Sequence, residues 1–207
     1  MGGLVDENDG SVSKSYAAGD VQVLNVQNNP SGGGGLVSYS SGTISNSHAT
    51  GAVRGDDGST VGGLLGVNQG GTEQGIVENS YASGSVTGGS ASSVGGLVGG
   101  NGYMISTSYS IGKVTGGAGS DVGGLIGDDV APAGSPDDTD WDTDTSGITN
   151  PSQGAGNIAN DRGITGLTTA QFQSGLPAGF EPSIWGEKSN IDDGFPYLLA
   201  NLPPRHQ

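Results

Sequence analysis

The chain has 207 residues, enough for one long domain or two small ones, and 43 of them are glycine. Only 31% are hydrophobic and 5% aromatic, too few for a thick globular core, and the lack of cysteine excludes disulfides, thiolate metal sites and cysteine catalysis. Six Lys plus Arg against 21 Asp plus Glu give a formal charge of −15, a surface that repels nucleic acid and anionic lipid but could attract Ca²⁺.

From the N-terminus onward the glycines fall in register. "GGLV" stands at 2–5, 34–37 and 95–98, "GGLL" at 62–65 and "GGLI" at 123–126. The anchors Leu4, Leu36, Leu64, Leu97 and Leu125 are 32, 28, 33 and 28 residues apart. A second phrase follows four of them: "VSKSYAAGDV" from Val12, "ISNSHATGAV" from Ile44, "VENSYASGSV" from Val77 and "ISTSYSIGKV" from Ile105. Length varies only between Val21 and Leu36 and at "NQGGTEQG", which marks those joints as loops. Glycine and β-branched residues dominate and no 3.6-residue apolar period persists, so helix is set aside. Short alternating runs ending in Thr-Gly or Ser-Gly predict three strands per unit.

One such unit cannot bury its apolar face, but stacked units can. Residues 1–128 are therefore expected to form an all-β, parallel β-solenoid, a right-handed β-helix of four full coils and a degenerate fifth. At about 4.8 Å per coil the stack would be roughly 20–25 Å long. Glycine pairs in register would serve where a Cβ clashes or φ must be positive. Tyr16, His48, Tyr81 and Tyr109 should form a vertical ladder, with parity favouring an inward column, and Ser15, Ser47, Ser80 and Ser108 a second. The opening Met1-Gly2-Gly3-Leu4 already lies inside a repeat, as in a segment of a longer chain. No basic leader with an apolar stretch is visible, and no apolar run approaches 18 residues, so no membrane insertion is expected.

Past Asp128 the register fails. Residues 129–162 read as an acidic, Gly-rich degenerate coil and loop. Residues 163–207 regain apolar content and are expected to cap the last coil, with Thr168 or Thr169 at the start of a short helix and a frayed tail after Pro203-Pro204.

Candidate chemistry is sparse. Asp138, Asp140, Asp142 and Asp144 alternate in "DDTDWDTDTSG", which makes them candidate Ca²⁺ ligands, although an EF-hand fails for want of Gly and Glu at its sixth and twelfth positions. The plainer reading is a solvated acidic turn with Trp141 folded onto the last coil. "GGAGSDVGG" (116–124) nearly fits a Ca²⁺-binding nonapeptide, but as a lone copy it reads as a turn. Arg54-Gly55-Asp56 spells an integrin-type motif, though the equivalent turns read "TGG" and chance explains it. His48 occupies a tyrosine position, His206 lies in the tail, and no third partner completes a Ser-His-Asp set. Neither an enzyme nor a cofactor is expected.

The pattern "GGLxG…(I/V)xNSYAxGxVxG" resembles the GLUG motif of large secreted bacterial proteins, including filamentous-haemagglutinin-like adhesins. The tail from "WDTDTSG" to "GFPYLL" resembles the C-terminal end of such regions. The resemblance implies a non-catalytic structural or adhesive segment of an extracellular or cell-surface bacterial protein. It would act as a rigid spacer toward a host or neighbouring cell surface, with self-association through solenoid ends. A carbohydrate-binding β-helix module is the alternative, with Tyr39, Tyr103 and Trp141 as candidate glycan contacts, and a polysaccharide lyase or hydrolase a more distant one.

Overall fold

The computed structural model describes residues 1–24, 31–70, 74–132 and 135–203. Parts of both variable joints, and the tail from 204 with His206, lie outside them. The chain is a parallel β-solenoid of about four turns, slightly short of the coil count expected. A partial fifth rung follows, with strands Ile126–Asp129 and Thr139–Asp142. Ile164–Leu167 adds one strand beyond it by pairing with Thr139–Asp142.

Each coil has five short strands where three were expected. In the second coil they are Val37–Ser40, Thr43–Ser45, His48–Ala49, Val53–Gly55 and Thr60–Gly62, here termed the first to fifth faces. Stacked on their equivalents they form parallel sheets of five, four, six, four and four strands. One of the two extra divisions arises inside the phrase that reads "ISNSH" in the second coil. Its third residue is left-handed in every rung, at Lys14, Asn46, Asn79, Thr107 and Asp138, with φ between 42° and 49°. One residue in that conformation turns the chain and separates the second face from the third.

The glycine pairs answer to space. Neither glycine of a pair has positive φ. A Cβ on Gly63 would overlap the Gly96 carbonyl oxygen of the next coil and stand 2.7 Å from the Ala82 Cβ across the interior. The turn thus packs directly onto its neighbours above and within the coil, and no side chain fits there. The leucine that follows is locked by the same stacking: the amides of Leu4, Leu36, Leu64 and Leu97 donate to the carbonyls of Leu36, Leu64, Leu97 and Leu125 at 2.8–2.9 Å. Leu36, Leu64, Leu97 and Leu125 are fully buried, while Leu4 of the terminal coil is 53% exposed.

A narrow apolar column fills the stack, built from these leucines with Ile44, Val77 and Ile105 and with Val53, Val86 and Val114. Trp141 closes its far end. It continues the inward column Ala17, Ala49, Ala82, Ser110. Where those residues are small, Trp141 is fully buried and lies over Gly124 and Gly166, which have no Cβ to obstruct it. The end cap expected from 163–207 is therefore supplied largely from within the acidic stretch.

Candidate functional site

The third face carries the tyrosine ladder. The rings of Tyr16, His48, Tyr81 and Tyr109 stack at centroid spacings of 5.3, 4.8 and 5.0 Å and within 9° of parallel. The inward direction expected for it is wrong: Tyr81 and Tyr109 pack in a second apolar cluster outside the solenoid column, while the next residues, Ala49 and Ala82, face the interior. The left-handed residue two positions earlier reverses the parity that a straight strand would have kept. The serine ladder stands beside it. The Ser15, Ser47 and Ser80 amides donate to the hydroxyls of Ser47, Ser80 and Ser108 at 3.1–3.2 Å.

An outward aromatic ladder needs a cover, and residues 163–203 supply it. This strap lies along the flank of the stack instead of only on its last coil, contrary to expectation. It begins with helix α1 (Thr169–Phe172), whose N-cap Thr168 forms a reciprocal capping box with Gln171. Phe172, Phe180 and Trp185 pack at 5.4, 6.2 and 5.7 Å from the Tyr109 ring, and Trp185 also meets Tyr81 at 6.2 Å. The Tyr109 hydroxyl donates to the Pro196 carbonyl oxygen. Further on, Asn201 Nδ2 donates to the carbonyls of Ser15 at 2.9 Å and Asn46 at 3.3 Å, so the strap returns to the first two coils. Tyr16 remains 52% exposed at the terminal coil.

His48 is the ladder's one ionisable ring near neutrality. It is fully buried, neither nitrogen has a partner among the described residues, and burial pushes its pKa down to about 4. Tyr81 and Tyr109 are pushed well above their ordinary values by burial first, with Asp192 adding to both. These are protonation states suited to packing.

The four aspartates do not converge on a cation. Asp138 is exposed in the left-handed bend. Asp140 takes the ladder position above Tyr109, and burial, with Asp138 nearby, raises its pKa to about 7. Asp142 Oδ1 accepts from the amides of Asp144 and Thr145, and its Oδ2 accepts from Thr169 Oγ1 at 2.6 Å. Asp144 Oδ2 accepts from the Thr169 amide at 3.0 Å. Their oxygens fasten the start of the strap, and among the described residues no group of three or more Asp, Glu or His is placed to hold a metal ion. Arg54 and Gly55 belong to a fourth-face strand, with Arg54 exposed.

Of the candidate glycan contacts, Trp141 is withdrawn because it is wholly interior. The Tyr39 hydroxyl accepts from the Gly32 amide at 2.8 Å, and its ring lies over that glycine. Tyr103 is different, because it lines an open groove of about 320 Å³ between the outer first and fifth faces. Two vertical columns meet there: Glu7, Tyr39, Val67, Gly100, Asp128 on the first face, and Gly32, Thr60, Ser93, Asp121 on the fifth. Gly100 contributes no side chain between Val67 and Asp128, and that omission opens the groove. Asp128 Oδ1 is held by Asn157 Nδ2 at 2.6 Å, and burial with nearby Asp121 raises its pKa.

A polar column that the sequence reading missed runs along the inner edge of this groove. Asn68 Nδ2 donates to Asn101 Oδ1 at 2.8 Å, and Asn101 Nδ2 to Asp129 Oδ1 at 3.1 Å. Asn8 Nδ2 donates to Ser40 Oγ at 3.0 Å. The recurrence of Asn four residues after each GGL leucine, with Asp or Ser standing in, was the available signal.

Fold and ladders together define a β-solenoid repeat module. Among known families, the GLUG motif matches residues 57–87, most of one coil, so the chain carries a GLUG repeat region. No curated protein and no solved structure matches the chain.

Proposed function

We propose that the chain is a non-catalytic structural and adhesive segment of an exported bacterial surface protein, a rigid spacer that displays a repeated surface toward a host or neighbouring cell. The observation that carries this reading is the unbroken register of the stack. Amide, serine, asparagine and aromatic columns each join one coil to the next, so the module holds its outer residues at fixed intervals. The flank that would otherwise be apolar is sealed by its own strap. Repetition of weak contacts at fixed spacing produces avidity without a deep pocket. The GLUG match and the acidic, cysteine-free composition agree with it.

Microspheres coated with the folded chain would be passed over epithelial and bacterial cell layers under flow. Retention well above that of spheres carrying the heat-unfolded chain is expected. Equal retention of the two would overturn the adhesive part of the reading.

A further inference from the structure

We infer that the groove at Gly100 is a binding site for a neutral hexose, taken as a terminal mono- or disaccharide unit. The site goes beyond the spacer reading, since a rod needs no pocket. Its shape comes from the repeat itself. Adjacent rungs are about 4.8 Å apart, so leaving out one side chain parts Val67 from Asp128 by two rungs, about 10 Å. The resulting 320 Å³ is at the small end of ligand pockets, the size of one or two sugar rings.

The chemistry around that notch suits a pyranose. Tyr103 places an aromatic ring at the groove, resting against Gly70, where a side chain would displace it. The polarised C–H bonds of a sugar face pack on the electron-rich face of such a ring. Asp128 stands at the opposite rung. With Oδ1 fixed by Asn157, its Oδ2 has no hydrogen-bond partner among the described residues and can accept from sugar hydroxyls. Thr60 and Ser93, half-buried on the fifth face, add hydroxyls that donate or accept. Charge selects the class of sugar. The carboxylate of Asp128, Asp121 beside it and a chain charge of −15 repel sialic and uronic acids, whereas neutral hexoses carry no such penalty.

Gly100→Val provides the test, because valine is what the preceding coil has at this position, as Val67. A Cβ on Gly100 meets only the Thr60 Cγ2, at 3.2 Å, so the notch can be filled without breaking the coil. The full chain and its variants would be titrated with neutral gluco-, galacto- and manno-disaccharides and with sialyllactose and a diuronate, using saturation-transfer NMR. Binding of at least one neutral disaccharide is expected. It should weaken about tenfold or more in Gly100→Val and in Tyr103→Ala, with melting temperatures unchanged, and neither acidic sugar should bind. Asp128→Asn should weaken the neutral sugar and admit the acidic ones. The inference fails if no neutral disaccharide binds, if Gly100→Val binds as the parent does, or if acidic sugars compete equally. Should Gly100→Val misfold, Tyr103→Ala alone decides the matter. A negative result here leaves flow adhesion free to succeed, and the reverse also holds.

Discussion

Replacing Ser40 by asparagine should stabilise the protein. In the polar column beside the groove, Asn68 donates to Asn101, but its own Oδ1 is buried without a partner among the described residues. Ser40 occupies the rung below and is too short to reach it; its hydroxyl instead meets the Gly42 carbonyl at 3.3 Å. An asparagine at 40 would point Nδ2 at Asn68 Oδ1, as Asn68 does toward Asn101. It would also reach the Ile76 carbonyl, as Asn68 reaches that of Met104 at 3.3 Å. Room exists, because Gly42 holds the place where Gly75 accommodates Asn68. An orphaned buried acceptor costs about 1–3 kcal/mol, so a net gain of about 1–2 kcal/mol remains after the longer side chain is ordered. For a chain of this size that is about 2–8 °C in melting temperature, read by calorimetry. The gain should vanish when Asn68 is changed to Ser in the same molecule. A Ser40→Asn variant that melts at or below the parent temperature would refute the reasoning.

The buried ladder gives a pH prediction. The folded pKa of His48, about 4, is below the ordinary 6.5, so its contribution is complete above pH 6.5 and is lost as pH falls toward 4, by about 3 kcal/mol. Asp140 works in the opposite sense, since its folded value of about 7 lies above the ordinary 3.8 and acid relieves the cost of its buried charge. His48→Tyr, which restores the repeat's own residue, should therefore gain over the parent as pH drops from 6.5 to 4; a difference in melting temperature that is constant with pH refutes this. Gly63→Ala should cost about 2 kcal/mol or more by urea titration, because the overlapping Gly96 carbonyl belongs to the next coil, while Gly100→Ala should stay within about 0.5 kcal/mol. Trp185→Ala should cost about 3–5 kcal/mol and open the strap to limited proteolysis while the coils stay protected; equal cleavage of both would count against a separate flank cluster.

The repeat told most of the architecture. Anchor leucines at near-constant spacing, with insertions confined to two joints, allow little but a stack, and the columns then follow from alignment alone. What stayed hidden was direction. Asn46 and Asn79 hint at left-handed backbone, but Lys14 and Thr107 adopt the same conformation without any such preference, held there by the coils they stack on. That single bend turns the tyrosines outward, and with them the role of the last forty residues. Trp141 was legible in part: the plainer reading folds it onto the last coil, but its acidic neighbours suggest a solvated turn. Thr139–Asp142 is instead a buried strand whose alternation sends Trp141 inward while Asp140 and Asp142 face the strap. The groove depends on an omission at Gly100, in a chain where glycine is too common for one to stand out.

Stacked modules ordinarily fray from their ends, because each unit touches only the next. The contact of Asn201 with Ser15 and Asn46 changes that here, since the last segment of the chain is tied to the first. Loss of the outermost coil would also loosen the latch over the rest, which favours melting as a single unit. The same tie fixes the number of rungs between the strap's anchorage and Ser15: one more inserted there would lift Ser15 about 4.8 Å out of reach of Asn201.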